Sequence, residues 1–316
     1  MINITEKFGK GGNLMTKKKF TEEELRFNED IKKIVLDILE KNKKPTIKIE
    51  VSDDKPNLFQ SKFGGLPYLP KDKEVPRDKE NRQFTLLAQI NIEELPENNI
   101  YPMKEGILQF WILNDDVYGL DFDNLLGNGY LLGNGYKVVY YKEIDKSVTE
   151  EEILEKYKPY EEDENYFPIE GEFSLKFELR DGYFSDSNDD FREIVDEEMK
   201  KFYLENREKY PEILKVYKDG EYLNYWDIWD ILEEDKEIGE KLFEAGHKIG
   251  GYPNFTQSDV RDLKAGYNIL LLQIDSEGTD EHEIMWGDCG IANFFIREKD
   301  LKELNFDEVI YNWDCC

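Results

Sequence analysis

The sequence is short of the residues on which most recognisable chemistry is built. Its 316 residues include two histidines and three cysteines. Cys289, Cys315 and Cys316 form an odd, late set with no CxxC spacing. That excludes a disulfide framework and a zinc ribbon, and suits a reducing compartment. No run of about 18 apolar residues is present, so no bilayer-spanning helix is encoded. No apolar stretch follows the N-terminal lysines, as a secretory signal would require. A cytoplasmic location is the expectation. Gly-x-Ser-x-Gly, Walker, His-Glu-x-x-His and dinucleotide fingerprints are all missing. No cofactor, metal or catalytic residue is therefore expected, and the balance falls against an enzyme.

Acid and aromatic side chains are abundant. Aromatics make up 14% of the chain, which argues for a packed core despite 36% charged residues. The net charge is −29 and is unevenly placed: residues 1–50 carry 12 Lys/Arg against 9 Asp/Glu, whereas residues 145–245 carry 14 against 33. Such a field repels nucleic acid and anionic membrane and attracts basic partners; its plainer use is solubility.

Residues 1–20 read as a poorly ordered extension, with Met15 before three lysines as an alternative start. Residues 21–145 read as an N-terminal helix plus a first module. Thr21 and Glu24 make a capping box, and Leu25, Ile31, Ile34, Val35, Ile38 and Leu39 keep helical spacing. Strands are expected at 46–51, 84–90, 106–112 and 137–141. Between 125 and 136 the hexamer Leu-Leu-Gly-Asn-Gly-Tyr occurs twice in tandem, which predicts a hairpin tip. Residues 146–246 read as an acidic, partly helical insert. In it, 173–179 alternates as a strand, 191–202 as a helix, and a third helix runs from Trp226 to near Gly246, its stripe facing a core.

The last segment, 247–316, echoes the first module. Phe63-Gly64-Gly65-Leu66-Pro67 matches Ile249-Gly250-Gly251-Tyr252-Pro253, Leu86–Ile90 matches Leu270–Ile274, Gly106–Ile112 matches Gly290–Ile296, and Val138–Tyr140 matches Val309–Tyr311. The first three matches keep their spacing to within two residues. The expected fold is α+β: an internally duplicated, pseudo-symmetric unit of mostly antiparallel sheet with peripheral helices. These segments, together with Met285–Gly290 and Tyr311–Cys315, resemble the YwqG-like family of bacterial proteins over roughly residues 45–316. The resemblance implies a cytosolic duplicated α+β fold and no established activity.

Few residues are candidates for a site. Gln89 and Gln273 occupy equivalent buried strand positions and must find hydrogen-bond partners. Trp286 followed by Gly287 and Asp288 could give a ligand pocket an aromatic wall and a polar anchor, or could be a bulge in which Asp288 bonds its own loop. His247, after Gly246, would suit a helix C-terminus as an imidazolium. His282 lies in a hydrophilic run, 275–283, that reads as a solvated turn and alternatively as a divalent-metal site. Residues 186–197 faintly match a calcium loop but carry Phe191 where glycine is needed. Cys289 beside Asp288 is a poor nucleophile. The leading expectation is a binding protein with an acidic surface, immunity-like in neutralising a basic protein partner. The alternative is an enzyme or small-ligand binder using Gln89, Gln273, Trp286 and Asp288 in a cleft between the modules.

Overall fold

The structure, a computed structural model, describes residues 20–120, 125–126, 130–131, 134–159, 167–218, 220–261 and 263–316. All but the last residue of the expected N-terminal extension lies outside these. The described chain mixes seven α-helices with antiparallel sheet. It divides into two compact units, Met1–Lys43 with Tyr183–Glu244, and Lys44–Gly182 with Ala245–Cys316. The first helix therefore groups with the acidic middle segment and not with the first module.

The larger unit is one ten-stranded sheet. Its strands are β1 (Lys44–Ser52), β2 (Lys62–Gly64), β3 (Thr85–Asn91), β4 (Ile107–Ile112), β7 (Tyr136–Tyr141), β8 (Glu172–Gly182), β9 (Lys248–Gly250), β10 (Ile269–Asp275), β11 (Ile291–Ile296) and β12 (Ile310–Asp314). The order is β12-β11-β10-β9-β1-β8-β2-β3-β4-β7, and every pairing is antiparallel. Two short strands, β5 (Leu125–Leu126) and β6 (Tyr130–Leu131), pair separately within the tandem hexamer; the residues between them lie outside the described set. β8 was expected inside an insert, yet it lies at the middle of the sheet between β1 and β2. Its outer end is wet, with Leu179 42% exposed.

The sheet is nearly closed on itself. Rings from opposite ends meet: Phe110 on β4 lies 5.0 Å from Phe294 on β11, and Tyr136 lies 5.3 Å from Tyr311. The enclosed core includes Leu87, Ala88, Leu108 and Phe110 together with Leu271, Leu272, Ala292 and Phe294. Consecutive residues can share that core because β3 and β10 each carry a bulge, between Leu86 and Ala88 and between Leu270 and Leu272. A bulge inserts one residue and re-aims its neighbours. The outer faces are covered too, by the cluster of Leu69, Leu86, Trp111 and Tyr157 on one side and by Phe255, Leu270, Phe295 and Ile310 on the other. Strands buried on both faces lose polar–apolar alternation, as β3, β4 and β11 do.

The smaller unit is helical. α1 (Glu22–Lys41) begins at the Thr21–Glu24 capping box, with both reciprocal bonds formed, and buries Phe27, Ile31, Val35, Ile38 and Leu39. Leu25, expected on that stripe, is 52% exposed. α1 packs on α3 (Asp189–Asn206) through Phe27 and Phe202. The third helix expected from Trp226 to Gly246 is instead broken into a 3₁₀ turn, α5 (Trp229–Glu234) and α6 (Lys236–Leu242). The break has a local cause: Asp235 turns its carboxylate onto the Ile238 N–H and caps α6.

Candidate functional site

The two glutamines are loop clamps. Gln89 Oε1 accepts the Tyr68 N–H at 2.9 Å and a Gln109 amide hydrogen at 2.8 Å, while its Nε2 donates to the carbonyls of Leu58 and Gln60. Gln109 Nε2 donates onward to the Tyr68 carbonyl at 2.7 Å. In the other half Gln273 Oε1 accepts the Asn254 N–H at 2.8 Å, its Nε2 reaches the Gly246 carbonyl, and Asn293 donates to the Asn254 carbonyl. Tyr68 and Asn254 each follow the proline of a Gly-Gly-x-Pro loop. Each loop is thus gripped by both polar groups of one peptide unit's residue. Both glutamines are fully buried, and neither lines the cleft described below.

Trp286 is likewise a core residue. It is fully buried and packs edge-on to Tyr118 and beside Trp313. Asp288 is exposed in the following turn. The four candidate residues are therefore not gathered around one opening.

A cleft of about 830 Å³ lies on the larger unit. It is lined by Lys55, Lys62, the Gly64-Gly65 turn, α2 (Glu150–Lys156) through Glu150 and Leu154, the Glu170–Glu172 turn, and His282. Gly64 (φ +65°) is forced by its neighbour, since a Cβ there would sit 2.5 Å from the Gly171 carbonyl oxygen. Lys62, the first residue of β2, is 1% exposed. Its Nζ donates to the Leu66 carbonyl at 3.1 Å, and no carboxylate among the described residues pairs with it. Burial pulls its pKa down to about 8. Its counterpart Lys248, also buried, gives its ammonium to the Asn254 side-chain oxygen. Sequence reasoning passed over both lysines. The signal was present, because each stands two residues before a Gly-Gly pair, with one apolar residue between.

The two histidines are shifted in opposite directions from the ordinary imidazole value. His282 Nδ1 meets Asp53 Oδ1 at 2.9 Å, and the Thr279 hydroxyl donates to the same oxygen. Asp53, Glu281 and His282 bring ligand atoms within 4.8 Å of one another, but ring and carboxylate already satisfy each other, as in a structural pin. The hydrogen bond to Asp53 raises the His282 pKa. His247 does not cap a helix, for α6 ends at Leu242. It is buried; its Nδ1 accepts the Asp275 N–H, so Nε2 carries the hydrogen donated to the Glu277 carbonyl. Burial lowers its pKa. The stability effects have opposite signs. The His282 contribution is full below the unfolded value and lost as pH rises through the raised folded one. The His247 contribution is lost as pH falls from the unfolded value toward the lowered folded one. In an NMR titration His282 should turn over above pH 6.5 and His247 below it, with Asp53→Asn moving only His282. Coincident midpoints would refute the assignment.

The helical unit carries an exposed aromatic cluster. Trp226 was expected on a buried stripe, yet it is 66% exposed. It lies 6.3 Å from Trp229, which in turn lies 5.6 Å from Phe243, itself 39% exposed. Arg192 stacks over Trp226 at 5.4 Å. Residues 183–244 hold 20 Asp/Glu against 9 Lys/Arg.

Among the described residues no helix is long and apolar enough to cross a membrane. Comparison with curated proteins finds no match. A family model, described as a domain of unknown function (DUF1963), matches residues 61–315. That span takes in β2 through β12, both clamped loops and the cleft's lining apart from Lys55, Pro56 and Leu58, and the chain belongs to the DUF1963 family.

Proposed function

We propose that the protein binds a basic protein partner and that the helical unit supplies the docking face. The observation that carries this reading is Trp226, left two-thirds exposed beside Trp229 and Phe243 in an acidic segment. Water-facing tryptophan clusters are costly to keep, and aromatic anchors dominate protein interfaces. Guanidinium groups stack on indole faces, as Arg192 already does. The surrounding carboxylates, including Asp227 and Asp230, draw a cationic segment in and repel nucleic acid and anionic lipid. A neutralising, immunity-like role is one use of such a surface.

The test is a titration of the tryptophan fluorescence with an arginine-rich peptide of about a dozen residues at two salt concentrations. Binding should weaken severalfold on going from low to physiological salt. Trp226→Ala, a change at an exposed site, should weaken it a further tenfold, roughly 1–2 kcal/mol. Binding that ignores both salt and Trp226 would sink the reading, as would no binding at all.

Two further readings belong here. The two halves of the sheet are taken as duplicated copies of one module. Matching bulges, matching positive-φ glycine pairs at 64–65 and 250–251, and the two glutamine clamps support this. A comparison of the halves across many relatives that found no similarity above shuffled sequence would overturn it. The kinship with YwqG-like bacterial proteins and a cytoplasmic setting rest on the motifs and composition given above.

A further inference from the structure

The cleft of the larger unit presents a combination that its own packing does not explain. An ammonium has three hydrogens to donate, and Lys62, 1% exposed, has one acceptor, the Leu66 carbonyl. A buried cation is expected to be paired or coordinated. Lys248, at the matching position of the other half, is held by the Asn254 side chain. Lys62 instead borders an 830 Å³ opening whose lining also includes the apolar residues Leu58, Leu86 and Phe167. The charges around that opening narrow the choice of occupant. Three carboxylates, Glu150, Glu170 and Glu172, outnumber Lys55 and Lys62 and disfavour a simple anion. The buried amine at the wall disfavours a simple cation.

We infer that Lys62 is a nucleophilic amine held for an uncharged carbonyl compound, an aldehyde or ketone, which it captures as an imine. The neutral Nζ attacks the carbonyl carbon and forms the C–N bond as the carbonyl oxygen takes up a proton. The nitrogen then sheds its protons, and the C–O bond breaks with loss of one water. The sum is amine plus carbonyl giving imine plus water, with nothing oxidised or reduced. Glu150 and Glu172 on the same wall are the carboxylates available to carry protons between nitrogen and departing oxygen. Burial supplies the activation, because a lysine that must lose its charge to sit comfortably is neutral more often than an exposed one. Imine formation also removes the uncompensated cation from the wall.

The experiment uses the intact wild-type protein with propionaldehyde and cyanoborohydride near neutral pH, followed by peptide mass spectrometry over time. Lys62 should be alkylated roughly tenfold faster than Lys55 of the same cleft, since lowering a lysine from the ordinary 10.5 to about 8 gives a few hundredfold more free amine, on the order of two and a half powers of ten, offset by weaker intrinsic nucleophilicity. Its rate should level off near pH 8, where exposed lysines still climb, and the preference should vanish in denaturant. Lys62 that stays unmodified in the folded protein, or reacts no faster than Lys55, overturns the inference. The assay touches neither Trp226 nor a basic partner, so its outcome is independent of the docking reading.

Discussion

Gln89→Met should cost about 4 kcal/mol and lower the melting temperature by roughly 10 °C. The side chains have similar volume, so the loss isolates hydrogen bonding from packing. Methionine would leave the Tyr68 N–H, one Gln109 hydrogen and the Leu58 and Gln60 carbonyls without their present partner. Each such buried group costs about 1–3 kcal/mol when orphaned, less whatever water can repair. Gln273→Met should behave alike, because it holds Asn254 and Gly246 in the same manner. Urea unfolding of both variants is the check. A loss under about 1 kcal/mol would mean that the Gly-Gly-x-Pro loops are anchored by something else.

Replacement of Trp286 separates a structural role from a ligand-binding one. Trp286→Ala empties a fully buried site against Tyr118 and Trp313 and should destabilise the larger unit by about 4 kcal/mol. Trp286→Phe should lie within about 1.5 kcal/mol of wild type. It keeps much of the ring contact and removes an indole N–H that has no hydrogen-bond partner in the described structure. A pocket wall would give the opposite pattern, with both variants stable and a lost ligand. Paired denaturant curves distinguish the two, and an alanine variant as stable as wild type would return Trp286 to the list of binding residues.

The strands were legible because the physics behind them is local. Runs such as Leu86–Ile90 and Ile291–Ile296 are too apolar to be anything but buried strand between turn residues. The capping box at Thr21 fixed where α1 starts. What escaped was decided by tertiary neighbours. Asp235 looks like one more acid on a helical stripe until its carboxylate is seen to cap α6, and Trp226 lies in a separate 3₁₀ turn ahead of α5, where it faces water. Glu172–Gly182 alternates only in part, and nothing in it announces that it pairs with β1 at the centre of the sheet. Lys62 sits among apolar and glycine residues, where a lysine reads as surface. Its burial comes with chain segments far away in sequence, since β2 is paired on both sides and Lys62 stands opposite Gln89 on β3 and Ser174 on β8. The glutamines were correctly read as buried and in need of partners, but which groups they serve follows from where the Gly-Gly-x-Pro loops fold back.

The near closure of the sheet bears on how the molecule avoids its own kind. An open sheet ends in strands whose unpaired backbone groups invite another chain to add on. Here the two end strands, β7 and β12, are drawn toward each other. The Tyr136 hydroxyl donates to the Val309 carbonyl at 2.7 Å, while Tyr311 and Trp313 fasten the far edge to the carbonyls of Tyr118 and Val117. The Val309 carbonyl beside β12 is thus already taken by a side chain. Contacts with other proteins then have to be made through side-chain surfaces and not by strand exchange, and an exposed tryptophan on a helical unit is such a surface.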